Sequence, residues 1–261
     1  ARTVTDRRTG VLSVPIISLT VLAPFRAIHD IQGSGTLSPY AGQQVKTSGI
    51  VTGIKAGSAG GFFIQVPDAD ADGLPATSEG IFVFPGSSVP AAVAAGNAVA
   101  VTGVIQEFVS SSDPWSRPAT EIAGGPAVTL LSSGNPLPAP VTLTAADTNP
   151  AGALEQLERF EGMRVHVESL TVVAPTEGNV TESSATATSD GVFFGVITGV
   201  ARPFREPGIQ LPDPLPAGAP CCVPRFDANP ELIRVDSDGQ PGATIIDVTS
   251  GATVTGLTGP L

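Results

Sequence analysis

The residues whose types and spacing best suit chemistry form an acidic loop in the first third of the chain. Asp68, Asp70 and Asp72 alternate, Gly73 follows directly, and Glu79 comes after five further residues. This is the D-x-D-x-D-G-x5-E pattern of a calcium loop. Alternating carboxylates in a tight loop point inward, glycine allows the sharp turn, and a distal glutamate can chelate with both oxygens.

We therefore predict one Ca²⁺ ion, which would rigidify this loop. Its ligands would be the carboxylates of Asp68, Asp70, Asp72 and Glu79 and the carbonyl of Leu74. Calcium prefers such hard oxygen donors, and the crowded carboxylates would repel one another without a cation. The alternative is a solvated acidic turn in a hairpin.

The segments that must position this loop are strands, and the whole composition agrees with that. The loop lies between the apolar runs 62–66 and 81–84, so its scaffold is β and not the helix pair of an EF-hand. The 261 residues include 30 Gly and 25 Pro, which favours an all-β protein with many turns and room for two domains. Residues 151–160 are the one short helix expected in the second half.

Charge and cysteine content exclude several function classes. The formal net charge of −11 repels phosphate backbones and anionic membranes, and it suits an extracellular, secreted protein that captures calcium. No stretch is long and apolar enough to predict a membrane span. The two cysteines, Cys221 and Cys222, are adjacent, so they form neither a disulfide framework nor a zinc motif.

The two halves of the chain repeat one pattern. A Gly-x-x-Val motif recurs at 42–45 and 162–165, and a Phe pair recurs at 62–63 and 193–194. The same order of features predicts two copies of one small β-barrel. The first copy gains further strands at 120–131, whereas the second stops just after its equivalent of 96–108. We therefore expect the second copy to lack its closing strand.

One strand-like segment, residues 11–22, belongs to neither repeat. Its β-branched and apolar residues are suited to fill an open barrel edge. Donation of this strand to a neighbouring copy would run head to tail and generate a polymer, whereas donation within one chain is the alternative. The apolar residues of this predicted assembly strand are Val11, Leu12, Val14, Ile16, Ile17, Leu19, Val21 and Leu22.

Several segments, taken in order, resemble a known family. IQGSGTLSPYAGQQVKTSGIVTG and GFFIQVPDADADGLPATSEGIFVF are similar to the OB-fold-like domain near the N-terminus of secreted nucleases of the endonuclease/exonuclease/phosphatase superfamily. FEGMRV, GVARPFREPGI and FDANPELIRVD resemble the region that follows it. The resemblance covers residues 28–261 and implies OB-like barrels. It does not include the family's catalytic domain.

The resemblance and the repeat together give the expected organisation. The fold class is all-β, with two tandem OB-like β-barrels and an N-terminal extension strand. Residues 1–27 form an arm and the extra strand, 28–132 the first OB-like domain with the calcium loop, 133–140 a linker, and 141–261 the second OB-like domain.

These features predict a non-catalytic, secreted structural protein that assembles with copies of itself into a filament and is stabilised by calcium. Enzyme activity is not expected, because the only histidines, His29 and His166, have no partner motif and are interpreted as structural. The alternative is an accessory region of a secreted nuclease that handles nucleic acid or another substrate. The negative charge disfavours nucleic acid as a partner.

Overall fold

A computed structural model of the chain describes residues 22–55, 57, 60–86, 88–111, 116–210, 217, 218 and 220–261. These residues are almost entirely strands and turns, which confirms the predicted all-β class. The α-helix α1, Ile28–Gln32, precedes the first strand. The predicted assembly strand lies outside the described residues, except for Leu22.

The first half forms a closed barrel of five strands, as the sequence predicted. The order around the barrel is β1-β2-β3-β5-β4, with β3 parallel to β5 and the other pairs antiparallel. Five strands in a Greek-key barrel are typical of the OB-fold. The strands are β1 (Gln44–Lys55), β2 (Gly61–Gln65), β3 (Gly80–Val83), β4 (Ala98–Phe108) and β5 (Ala119–Ser132).

The second half forms a separate five-stranded sheet. Its path is β13-β10-β7-β14, and β6 lies parallel to β7 off that path. Two further pairs of short strands, β8 with β9 and β11 with β12, stand outside this sheet. The strands are β6 (Val141–Thr142), β7 (Arg164–Ala174), β8 (Gly178–Thr181), β9 (Thr186–Ser189), β10 (Val192–Ile197), β11 (Ile209–Gln210), β12 (Arg225–Phe226), β13 (Ile233–Asp236) and β14 (Thr253–Pro260).

The second sheet follows the order of the barrel with one position unfilled. Strands β7, β10, β13 and β14 pair with one another as β1, β2, β3 and β4 do. In the barrel, β5 lies between β3 and β4, but no strand of the described residues lies between β13 and β14. The second sheet is therefore open at this position, which we call the β13–β14 slot.

Burial of apolar side chains follows from this difference. Val99, Val101 and Ile105 on β4 have no exposed surface and lie in the core of the closed barrel. Val254 and Leu257 on β14 also pack on a hydrophobic core but are only half-buried. The edge of the second sheet thus leaves part of an apolar interior in contact with solvent.

Two glycines bring the barrel and the second sheet into contact. Gly80 begins β3, and Gly162 precedes β7 with φ of 72°. A Cβ at Gly80 would lie 2.2 Å from the carbonyl carbon of Gly162, so neither position has room for a side chain. Beside them, the Ser78 hydroxyl donates to the Glu161 carbonyl at 2.6 Å. This contact fixes the loop before β3 against the start of the second half.

The predicted helix at 151–160 is wrong. These residues form turns and end in a 3-10 turn, Glu158–Phe160. Within the described part of the chain, no helix has the length and apolar character needed to cross a membrane.

Candidate functional sites

The acidic loop connects β2 to β3 and contacts the linker. Asp68 and Asp70 lie on an exposed 3-10 turn. Both carboxylate oxygens of Asp68 accept the backbone N–H of Ala139 at 3.1 Å, so this side chain points to the linker. Arg164, at the start of β7, donates to the Pro138 carbonyl from the other side. The loop and β7 therefore hold the linker between them.

Asp72 and Glu79 meet at the base of the loop, together with His29 from helix α1. One ligand atom from each of these three residues lies within 4.8 Å of the other two. Nδ1 of His29 is 2.9 Å from Oε2 of Glu79, and Oε1 of Glu79 accepts the backbone N–H of Asp72 at 2.7 Å. Glu79 is 8% exposed. We call these three residues the loop cluster.

The charges in the loop cluster shift two pKa values. Burial disfavours the imidazolium of His29, but the hydrogen bond to Glu79 and the charges of Glu79 and Asp72 outweigh it and raise the pKa of His29. Burial alone would raise the pKa of Asp72, but hydrogen bonds from the Leu74 N–H and the Thr77 hydroxyl have the larger combined effect. The pKa of Asp72 is therefore lowered. The cluster thus favours an imidazolium between carboxylates.

The structure brings together only part of the predicted ligand set. Asp72 and Glu79 converge, whereas Asp68 binds the linker, Asp70 is exposed, and the Leu74 carbonyl accepts the Thr77 hydroxyl at 3.3 Å. His29, which was interpreted from the sequence as a structural residue, also lies in the cluster. No local spacing could reveal it, because 50 residues separate it from Glu79. Two carboxylates with one imidazole offer both oxygen and nitrogen donors.

A cleft of about 720 Å³ lies between the outer face of the barrel and the second half. Phe63 on β2 and Phe82 on β3 face outward into it with their ring centroids 4.9 Å apart. The Lys55 ammonium lies 5.7 Å from the centroid of Phe82. Leu157 and Leu261 line the opposite wall. Most of this surface is apolar and aromatic.

Three carboxyl groups line the cleft, namely Glu121, Glu158 and Glu161. Burial, followed by the neighbouring charge of Glu158, raises the pKa of Glu161 to about 9. Burial likewise raises the pKa of Glu158, to about 7. Oε2 of Glu161 is buried without a hydrogen-bond donor among the described residues. The cleft therefore contains buried carboxyl groups that a cation would stabilise. We call it the acidic cleft.

Two patterns in the sequence coincide with the acidic cleft, although neither follows a known motif. Glu155, Glu158 and Glu161 recur every third residue, and Phe63 and Phe82 alternate with the buried residues of their strands. Both patterns suit an exposed face as well as a site. Only the packing of the second half against the barrel turns them into the walls of one cleft.

The segment that leads into the barrel runs beside β1. Phe25 forms a parallel bridge with Lys46, and the Lys46 N–H donates to the Pro24 carbonyl at 2.9 Å. Strand β6 pairs with β7 in the same parallel manner. Leu22, the one described residue of the predicted assembly strand, is 83% exposed. Both halves thus begin with a short parallel segment, and the first of these leads back to residues 11–22.

Comparisons with known proteins add little to this description. No known family profile matches the chain, and no curated protein is similar to it. A solved structure of a replication protein A heterotrimer bound to ssDNA shows 10% sequence identity, with 62% of this chain covered and a TM-score of 0.24. This chain spans 37% of that protein's length. A likeness of this size carries no conclusion about fold or function.

Proposed function

We propose that the protein is a non-catalytic, secreted structural protein that polymerises head to tail by strand donation. Residues 11–22 of one copy would occupy the β13–β14 slot of the next. The observation that carries the proposal is the second sheet, which repeats four strands of the barrel in order but has no described strand in the position of β5.

The chemistry of the slot supports a strand as its occupant. The outer edges of β13 and β14 have no strand partner among the described residues, and an edge of this kind can pair with another strand. The half-buried Val254 and Leu257 would gain cover from an apolar strand. Residues 11–22 contain eight apolar aliphatic side chains and no charge. Burial of such side chains is worth about 25 cal/mol per Å².

The direction of donation follows from the barrel. Strand β5 is antiparallel to β4 and parallel to β3. A donor in the equivalent position would be antiparallel to β14 and parallel to β13. Because donor and acceptor are different surfaces of the same chain, the contact repeats without closing unless its rotation happens to close a ring.

Calcium is proposed as the stabiliser of the acidic loop. The loop cluster supplies two carboxylates, and Asp68 and Asp70 lie on the same connection. Ca²⁺ there would take over the role of the His29 imidazolium in reducing repulsion between the carboxylates. Since the loop also binds the linker through Asp68, calcium would stiffen the joint between the two halves.

Matched deletions test the proposal. Removal of residues 1–22 takes away the donor strand, whereas removal of residues 1–10 leaves it. Sedimentation and electron microscopy should show filaments from the intact chain and from the shorter deletion, and single particles from the longer one. Circular dichroism of both deletions serves as the control that they keep the β structure. Equal assembly of both deletions would contradict strand donation.

A second candidate function rests on the aromatic pair. OB-folds bind oligonucleotides on the face of strands 2 and 3, and stacking on aromatic side chains is worth about 1–3 kcal/mol per base. Phe63, Phe82 and Lys55 occupy that face here. Glu121, Glu158 and Glu161 beside them oppose a phosphate backbone. Binding of single-stranded DNA that is lost in Phe82→Ala, at moderate salt, would favour this function.

A further inference from the structure

We propose that the acidic cleft is the docking site for the basic arm, residues 1–10, of a second copy of this chain. The inference rests on the proposed strand donation and adds a second contact to it. The occupant follows from three observations: the position of the cleft relative to the β13–β14 slot, the buried carboxyl groups that line the cleft, and the positive charge of the arm.

The position follows from strand direction. In the barrel, the first residue of β5, Ala119, lies opposite the last residue of β4, Phe108. A donor strand that replaces β5 in the second sheet would therefore begin opposite the end of β14. Leu261 follows that end directly and lines the acidic cleft. The residues that precede the donor strand would leave the slot at the mouth of the cleft.

The reach of the arm fits this position. Arg8 precedes Val11 by three residues, and three extended residues span roughly 10 Å. Arg7 and Arg8 are thus the first charged groups that the cleft would meet. The arm contains three Arg and one Asp, so its side chains carry a net charge of +2, in a chain whose overall charge is −11.

The cleft offers what a guanidinium needs. Glu121, Glu158 and Glu161 line it, and Oε2 of Glu161 lacks a donor among the described residues. A planar guanidinium donates in a fork that matches a carboxylate, and it stacks on aromatic faces such as Phe82. A guanidinium beside Glu158 and Glu161 would favour the ionised carboxylates that burial disfavours. The aromatic and carboxyl side chains of the cleft therefore suit the same arginine side chain.

Charge-matched variants of the full chain test the effect on assembly. Arg7→Gln with Arg8→Gln should raise the protein concentration at half-assembly by about tenfold, a size typical of close charge pairs at interfaces. Arg202→Gln with Arg205→Gln removes the same charge from an exposed loop elsewhere and should leave that concentration unchanged. High salt should reduce the difference in half-assembly concentration between the Arg7/Arg8 variant and the intact protein, because it screens charge pairs. Equal midpoints for both double variants would overturn the inference.

Isotope-resolved cross-linking identifies the partner. The Arg8→Lys variant is prepared in ¹⁴N- and ¹⁵N-labelled forms, and the two forms are mixed. The mixture is treated with a carbodiimide that joins lysine to carboxylates. We expect Lys at position 8 joined to Glu158 or Glu161 in peptides of mixed isotope. Joined peptides of one isotope only, or none to either glutamate, would overturn docking on a second copy.

The two proposals fail in different ways. If the arginine variants assemble like the intact protein but the deletion of residues 1–22 does not, the arm inference is wrong and strand donation stands. If the intact protein does not assemble, the proposed function itself is wrong, and the arm inference fails with it.

Discussion

Glu161 shows how a single side chain links packing to pH. Its carboxyl is pressed between the barrel and the second half, and burial with the nearby Glu158 raises its pKa. A raised pKa means that the folded state holds the proton more tightly than the unfolded state. The free energy of unfolding therefore falls as pH rises from the ordinary range of glutamate through the raised pKa, and the full stability is present at acid pH.

We expect Glu161→Gln to remove this penalty. The variant should be more stable than the intact protein at pH 9, and the gain should shrink as pH falls towards 5, because the native carboxyl is then protonated. Urea unfolding at pH 5, 7 and 9 measures the difference, with the exposed Glu182→Gln as a control. A gain that does not vary with pH would contradict the assignment.

The loop cluster gives a second prediction at the residue scale. A ligand that binds only the folded state adds about 2.7 kcal/mol at a hundredfold excess over its Kd. If calcium binds the loop, a chelator should lower the Tm of the intact protein. The Tm of Asp72→Asn should not respond to the chelator. The exposed Asp247→Asn, in another loop, should respond like the intact protein. A chelator effect that survives in Asp72→Asn would place calcium elsewhere.

The sequence predicted part of this loop for a physical reason. The spacing of Asp72 and Glu79 reflects a local turn, which adjacent residues specify. His29 reaches the same place through tertiary packing of α1, which no spacing encodes. The side chain of Asp68 bonds to Ala139, 71 residues away, and this partner is likewise absent from the local pattern.

At the scale of elements, the contact between Gly80 and Gly162 decides how the two halves pack. A side chain at position 162 would meet two difficulties at once. Its φ of 72° strains an L-residue, and its Cβ would lie 2.6 Å from the backbone nitrogen of Ile81. Gly251 shares a positive φ, 87°, but a Cβ there would meet nothing within 4 Å.

The pair separates strain from collision. We expect Gly251→Ala to cost about 1 kcal/mol of unfolding free energy, from backbone strain alone. Gly162→Ala should cost more, by about 1–3 kcal/mol, because β3 and β7 must move apart. Denaturant unfolding of both variants measures the two costs. Equal costs would mean that the two halves do not touch at this point.

Strands were easier to predict than their pairing. Alternating apolar residues and bounding glycines predicted strand β1, whose buried Val45 and Val51 face the core. The repeat predicted an equivalent barrel in each half. The helix expected at 151–160 is a run of turns instead, since tertiary packing of Leu157 and Phe160 on the second core does not require helical hydrogen bonds.

At the scale of the whole molecule, one closed barrel and one open sheet stand in the same chain. In the closed barrel every strand pairs with a neighbour on both sides. In the second sheet, β13 and β14 have no further strand partner among the described residues. A copy that donates a strand and accepts another satisfies this edge and repeats the contact. The central claim is that residues 11–22 of one copy fill the β13–β14 slot of the next.

Cysteine pairing between copies tests this claim most directly. In a chain with Cys221→Ser and Cys222→Ser, one population carries Thr255→Cys on the exposed face of β14, and the other a single cysteine at successive positions of residues 12–21. The two populations are mixed and oxidised. Because each chain carries a single cysteine, a disulfide can join only different copies. Strand donation predicts cross-linking at alternate donor positions, because side chains alternate along a strand. No cross-linking at any position, or equal cross-linking at all of them, would contradict it.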